Sequence, residues 1–279
     1  MTFELTEFGG TSRKSLAASR KVLDEILESL TNDDVVKLAA DLFSVVATLD
    51  TSTPLRRALT DGSRDTSSKS KLTSDIFGKA ISSVALKLLT NLIEFRWSNP
   101  SNISDAIEHL AVEAEAHAAN SVNELDLLED ELFAFARIVA SNRELRQVLN
   151  STKFLNQGKR SLIADLLGKQ VSSSTERMLG HLVCGLRGRN IESTIALYSA
   201  ATGARKERSI VHVRSSVALT EKQKVKLVDT LSQKIGKPIR LNVEIDATVL
   251  GGFSIRFADE LIDATIVSRL ADASRALAV

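Results

Sequence analysis

Residues 35–49 read VVKLAADLFSVVATL, and residues 125–139 read LDLLEDELFAFARIV. Val35, Leu38, Leu42, Val45 and Leu49 fall at spacings of three, four, three and four, and so do Leu125, Leu128, Leu132, Phe135 and Val139. Each stripe predicts an α-helix with one apolar face. A shared stripe alone says little, because core burial demands it of any helix. The constant offset of 90 positions says more, since it runs on through Leu55 and Leu145, Leu59 and Leu149, Leu72 and Leu162, Ile76 and Leu166, and Leu89 and Leu179. Polar positions keep it too: Asp75 with Asp165, and Gly78-Lys79 with Gly168-Lys169. Beyond them the offset becomes 88, with Ile103 and Ile107 matching Ile191 and Ile195. One offset held through several helices and their turns predicts two copies of one helical bundle.

Working outward, the expected domains are an extra N-terminal bundle over residues 1–105, a second bundle over 103–207 and a small α/β domain over 208–279. The expected class is therefore mainly α, two tandem bundles followed by a β-α-β-β-α tail. The opening helix has an apolar face of Leu16, Leu23, Ile26 and Leu30, with a poor match to the region near 106–120. The stretch Ile103 to Val122 can close the first bundle and open the second, which would join them in a semi-rigid unit. Residues 63–71, SRDTSSKSK, read as an exposed loop.

In the tail, Val211, Val213 and Ser215 alternate with Ile210, His212 and Arg214, as in a strand. Thr220 to Gln223 is a capping-box pattern opening a helix with Val225, Val228, Leu231 and Ile235 inward, stopped by Gly236 and Pro238. Two further strands, Leu241–Ile245 and Phe253–Phe257, are expected to pair across the turn 246–252, and a last helix to start near Thr265.

Composition narrows the function. With 36 Lys and Arg against 35 Asp and Glu, the chain lacks the charge excess that marks a general nucleic-acid binder. No run approaches the ~18 apolar residues that span a bilayer, and the N-terminus shows no secretory pattern. The lone Cys184 reads as a small packed thiol.

The constellations that might carry chemistry have duller explanations. Gly251-Gly252 leads into a strand instead of the Lys and helix start of a phosphate loop, so it reads as a turn. His109, Glu113 and His117 share a helical face, yet positions eight apart lie about 12 Å apart along the axis and cannot all meet one metal; a solvated polar face is expected. His181 and Cys184 lie three apart in apolar surroundings without an orienting acid. The acids from Glu124 to Glu131 read as the wet side of their helix, and the run Arg187-Gly188-Arg189 as a soluble loop. No catalytic residue, metal or cofactor is expected.

Several stretches resemble the delta subunit of bacterial F-type ATP synthase, the relative of the oligomycin-sensitivity-conferring protein. Glu131-Leu132-Phe133-Ala134 and Asn142-Arg143-Glu144-Leu145 resemble its early helices. Lys159, Leu162, Leu166-Leu167 and Leu179 to Val183 resemble the later ones, and Arg189 the arginine that follows. Val217 to Gln223, Asp246 with Val249 to Phe253, and Leu261 to Ile266 with Leu270 resemble the tail. The extra N-terminal bundle resembles the long actinobacterial form. The resemblance implies a non-catalytic peripheral-stalk subunit at the cytoplasmic face of the plasma membrane, linking alpha subunits of the catalytic head to the b subunit. It implies an apolar groove for an alpha N-terminal helix, which we place at Ile107, Leu110, Leu179, Leu182 and Val183, and a b-facing surface at Ile266, Leu270, Ala273 and Leu277. Plain core packing competes with each assignment. The alternatives are a cytosolic adaptor that binds partner helices, and an enzyme whose tail binds a small ligand.

Overall fold

The computed structural model describes residues 8–265 apart from 168–169, 209, 216, 218, 236–239, 247–251 and 258–259. The chain divides into two compact units, residues 1–203 and 204–279.

Ten helices open the first unit: α1 (Gly10–Leu27), α2 (Asn32–Thr51), α3 (Thr53–Thr60), α4 (Thr66–Phe77), α5 (Ser83–Leu92), α6 (Ser101–Ser121), α7 (Leu125–Ser141), α8 (Arg143–Asn150), α9 (Asn156–Leu167) and α10 (Ser173–Cys184). An eleventh, α11 (Ile191–Arg208), runs past the boundary between the units. The predicted stripes are buried: Leu38, Leu42, Val45 and Leu49 of α2, and Leu128, Leu132 and Val139 of α7, have no exposed surface.

The 90-residue offset governs the helix bounds as well as the stripes. The bounds of α3, α4 and the start of α5 recur, shifted by that amount, in α8, α9 and the start of α10. Start signals recur with them. The Ser52 hydroxyl accepts from the Leu55 amide, as the Asn142 side chain accepts from Leu145. Ser82 caps Ala85 as Ser172 caps Thr175. Each such cap satisfies an amide that the first helical turn leaves without a partner.

The stretch from Ile103 to Val122 is one helix, α6, and it lies inside the unit, with α1, α2 and α3 against it on one side of the chain and α7 and α10 on the other. Ile103, Ala106, Ile107, Leu110, Ala111, Val112 and Ala114 are all fully buried. The alanines suit this place, because they let neighbouring helices approach from several directions without loss of helix propensity. Side chains from both halves of the unit join in one apolar cluster.

The stretch 63–71 is only partly a loop. The Asp65 carboxylate accepts from the Ser68 amide and starts α4 at Thr66. Lys69 is buried, its ammonium donating to the Ile93 carbonyl at 2.7 Å. Composition marked the segment as polar, but a cap and a charge-assisted hydrogen bond order most of it.

The second unit holds β1 (Ile210–Ser215), α12 (Glu221–Ile235), β2 (Arg240–Ile245), β3 (Gly252–Phe257) and β4 (Glu260–Thr265) in one sheet of order β2-β1-β3-β4. The expected β2–β3 hairpin is corrected here. β1 lies between them, parallel to β2 with Val213 opposite Val243, and antiparallel to β3 with Val213 opposite Ile255. Val213 and Ile255, on the two inner strands, form the buried core of this unit with Leu231 of α12. β4 went unrecognised because Glu260 and Asp263 dilute its alternation. The capping box is present, with the Thr220 amide donating to Gln223 Oε1 at 2.9 Å. Val225 is exposed, and Leu227 with Val228 packs inward in its stead. The expected final helix lies outside the described residues.

Candidate partner-binding site and the buried ion-pair seam

Three glutamates of α6 are buried, Glu108, Glu113 and Glu115. A buried carboxylate persists only with a charged or hydrogen-bonding partner, and each has arginine. Arg20 of α1 donates its Nε to Glu113 at 2.7 Å. Arg177 of α10 donates its Nε to Glu115 at 2.7 Å; burial pushes that carboxyl up, and Arg177 offsets part of the rise. Arg189 donates to Glu108 at 2.6 Å and the Tyr198 hydroxyl to the same oxygen at 3.2 Å.

Arg187 makes the widest set of ties. Its Nε donates to Asp50 of α2 at 2.7 Å, and its Nη1 lies 2.7 Å from Asp105 and 2.9 Å from Glu108 of α6. Burial alone would lower the guanidinium's affinity for its proton, but the three carboxylates more than reverse that. Asp50 is raised by burial, with Arg187 pulling the other way. The backbone pays for this aim: Arg187 stands at φ 54° and Gly188 at φ 82°, a region L side chains seldom enter. The soluble-loop reading of Arg187-Gly188-Arg189 is therefore corrected. The acidic surface this run meets belongs to its own chain.

Beside the arginines, an aromatic stack joins the same elements. The rings of Phe43 on α2 and His181 on α10 lie 4.1 Å apart and 11° from parallel, and Tyr198 of α11 stands 6.2 Å from Phe43. Burial and the nearby Arg160 and Arg177 lower the His181 pKa to about 4. Cys184 is half-buried, and its Sγ lies 3.4 Å from the Asn156 carbonyl.

The solvated face expected of His109, Glu113 and His117 is also corrected. Glu113 is fully buried, and the Nδ1 of His109 is buried without a hydrogen-bond partner among the described residues. Burial lowers the His109 pKa. The spacing was read correctly as one helical face, but α1 covers that face. The acids after Glu124 divide: Asp126 and Asp130 are exposed, whereas Glu131 accepts from the Ser172 amide at 3.0 Å at the start of α10.

Ile107, Leu110, Leu179, Leu182 and Val183 are each fully buried in the chain's own core. A partner helix reaching those side chains would have to part α6 from α10. Ile266, Leu270, Ala273 and Leu277 lie outside the described residues. Sequence reasoning missed the glutamate–arginine seam. Its signal was present as three glutamates within eight residues of an alanine-rich helix, on turns that an amphipathic surface helix would not share.

Among the described residues no group of three potential ligands could hold a metal ion, and no helix is long and apolar enough to cross a membrane. Fold and seam thus define a helical scaffold, followed in the chain by a small α/β unit, whose buried glutamates are tied by arginines of its own helices and loops. A family model described as ATP synthase delta (OSCP) subunit matches residues 111–277. The chain is 39% identical over 269 residues to the ATP synthase subunit delta of Streptomyces coelicolor, covering 96% of this chain and 98% of that one. It is 38% identical to the subunit delta of Thermobifida fusca, covering 96% and 99%. The chain belongs to the ATP synthase delta (OSCP) subunit family. A match of this length leaves no ground for an adaptor unrelated to ATP synthesis.

Proposed function

We propose that this chain is a non-catalytic stator subunit of a proton-translocating F-type ATP synthase. It links alpha subunits of the catalytic head to the b subunit, at the cytoplasmic face of the bacterial plasma membrane, so that the head does not turn with the rotor. The carrying observation is the likeness to subunit delta over 96% of the chain, the first hundred residues included. The internal architecture supports the same reading. A strut has to pass torque without yielding, and α6 with its arginine ties makes residues 8–203 one packed body.

In this reading the first unit is two copies of one bundle sharing α6, supported by the recurrent helix bounds and caps. The second copy with the tail corresponds to the matched 111–277 region. The alpha helix docks on the outer α6–α10 side of that copy, where Ile107, Leu110, Leu179, Leu182 and Val183 are the core beneath the surface and not the contact itself, and b meets the face of Ile266, Leu270, Ala273 and Leu277.

Membrane vesicles carrying the enzyme with and without this chain test the proposal. ATP hydrolysis should continue without it, while ATP-driven proton pumping is lost and returns when the chain is added back. Full pumping in its absence would refute the role.

A further inference from the structure

α1 is fastened to the rest of the chain largely by polar ties. Three of its seven buried side chains are serines, Ser12, Ser15 and Ser19. The Ser12 hydroxyl accepts from the Ser98 amide at 2.7 Å and donates to Asn102 at 3.0 Å, and Ser15 donates to the Arg96 carbonyl at 2.6 Å. Arg20 adds its bond to Glu113. Serine buries little apolar area and favours the helix less than alanine or leucine does. Local opening starts at elements fastened in this way.

His109 lies under the residue that leads into this helix. The Phe8 ring, 5% exposed, stands 5.9 Å from the imidazole and is tilted by 56°. Nδ1 is buried and meets no hydrogen-bond partner among the described residues. The charges that act on the ring are Glu113, one turn on along α6, then Arg20 of α1, then Glu108 and Asp105 of α6. These carboxylates are already engaged, Glu113 by Arg20 and the other two by Arg187 and Arg189. Further along, Asp24 of α1 and His117 of α6 have interactions of their own. A proton on His109 would put a second cation near Arg20, and a donor at Nδ1 where no acceptor stands.

We propose that His109 is an acid-sensitive latch: its neutral imidazole lets Phe8 and α1 close over α6, and its protonation releases them while the rest of the first unit stays folded. The direction follows from burial. In the closed form the ring takes a proton less readily than at the ordinary value of 6.5, so acid favours the open form, in which the ring meets water. Each pH unit below 6.5 should raise the opening constant of α1 about tenfold, until the closed form is itself protonated. The latch belongs to the free chain and is independent of the stator role.

Hydrogen exchange of the α1 amides in the full chain, corrected for intrinsic rates and followed from pH 7 to pH 5, tests it. At pH 7 α1 should exchange through a smaller opening than the global one that exposes α2 and α7. Its protection should fall about tenfold per pH unit below 6.5. His109→Gln should abolish that fall, and His181→Phe should leave it in place, because α10 stays closed. His109→Phe, which keeps a ring against Phe8, should act as His109→Gln does, so either variant decides if the other fails to fold. Exchange of α1 only through the global opening would overturn the proposal. So would protection that is flat with pH in the unaltered chain, or a fall that survives loss of the His109 imidazole.

Discussion

Arg187 holds a strained backbone because its side chain has three carboxylates to satisfy. Arg187→Ala should destabilise the chain by about 3 kcal/mol, the scale for removing one partner of a buried ion cluster. Arg187→Gly loses the same ties but relieves the positive φ, so it should cost about 1 kcal/mol less than Ala. Urea denaturation of the two variants checks this, and equal losses would show that the backbone carries no strain. His181 supplies a pH test. Its imidazole takes a proton at about 4 in the folded chain and near 6.5 when free. The unfolded state therefore binds more protons between those values, and stability falls as pH drops through them. At about 1.4 kcal/mol per pKa unit the loss reaches about 3 kcal/mol. His181→Phe should flatten the slope of stability between pH 6.5 and 4; an unaltered slope would contradict the assignment. His109, also lowered, adds to the slope in both proteins, while the raised carboxyls of Asp50 and Glu115 oppose it across the carboxylate range.

At the scale of the element, α10 begins where two side chains agree on its start. The Ser172 hydroxyl caps Thr175, and Glu131 of α7 accepts both the Ser172 amide and its hydroxyl. α5 begins in the same way, with Asp41 of α2 accepting the Ser82 amide at 2.8 Å. Ser172→Ala and Glu131→Ala should each cost about 1–2 kcal/mol, and a double-mutant cycle should return about 1 kcal/mol of coupling. Additive losses would mean that the carboxylate does not support the cap. These elements also show how far the sequence could be read. The apolar stripes and the capping box of α12 were legible because their signals lie within a few residues of each other. The direct β2–β3 pairing was misjudged because chain order does not reveal which strand takes the sheet's centre. The buried state of Glu113 was hidden for a similar reason, since only the packing of α1 onto α6 removes that face from water.

At the scale of the molecule, the internal repeat did more than predict helices. It left residues 103–122 able to serve either half, and in the structure α6 packs against elements on both sides of it in the chain, with ion pairs tying them to it. The candidate partner residues were less legible. The greasiest positions of a small bundle are its core, and Ile107, Leu110, Leu179, Leu182 and Val183 answer to that description here. The central claim is that α6 makes residues 8–203 one mechanical body. Hydrogen exchange along the chain under increasing denaturant tests it most directly. The account predicts that amides of α2, α6 and α7 exchange through one shared opening, with the same free energy and the same denaturant slope. Exchange of α2 through an opening that leaves α7 fully protected would contradict it.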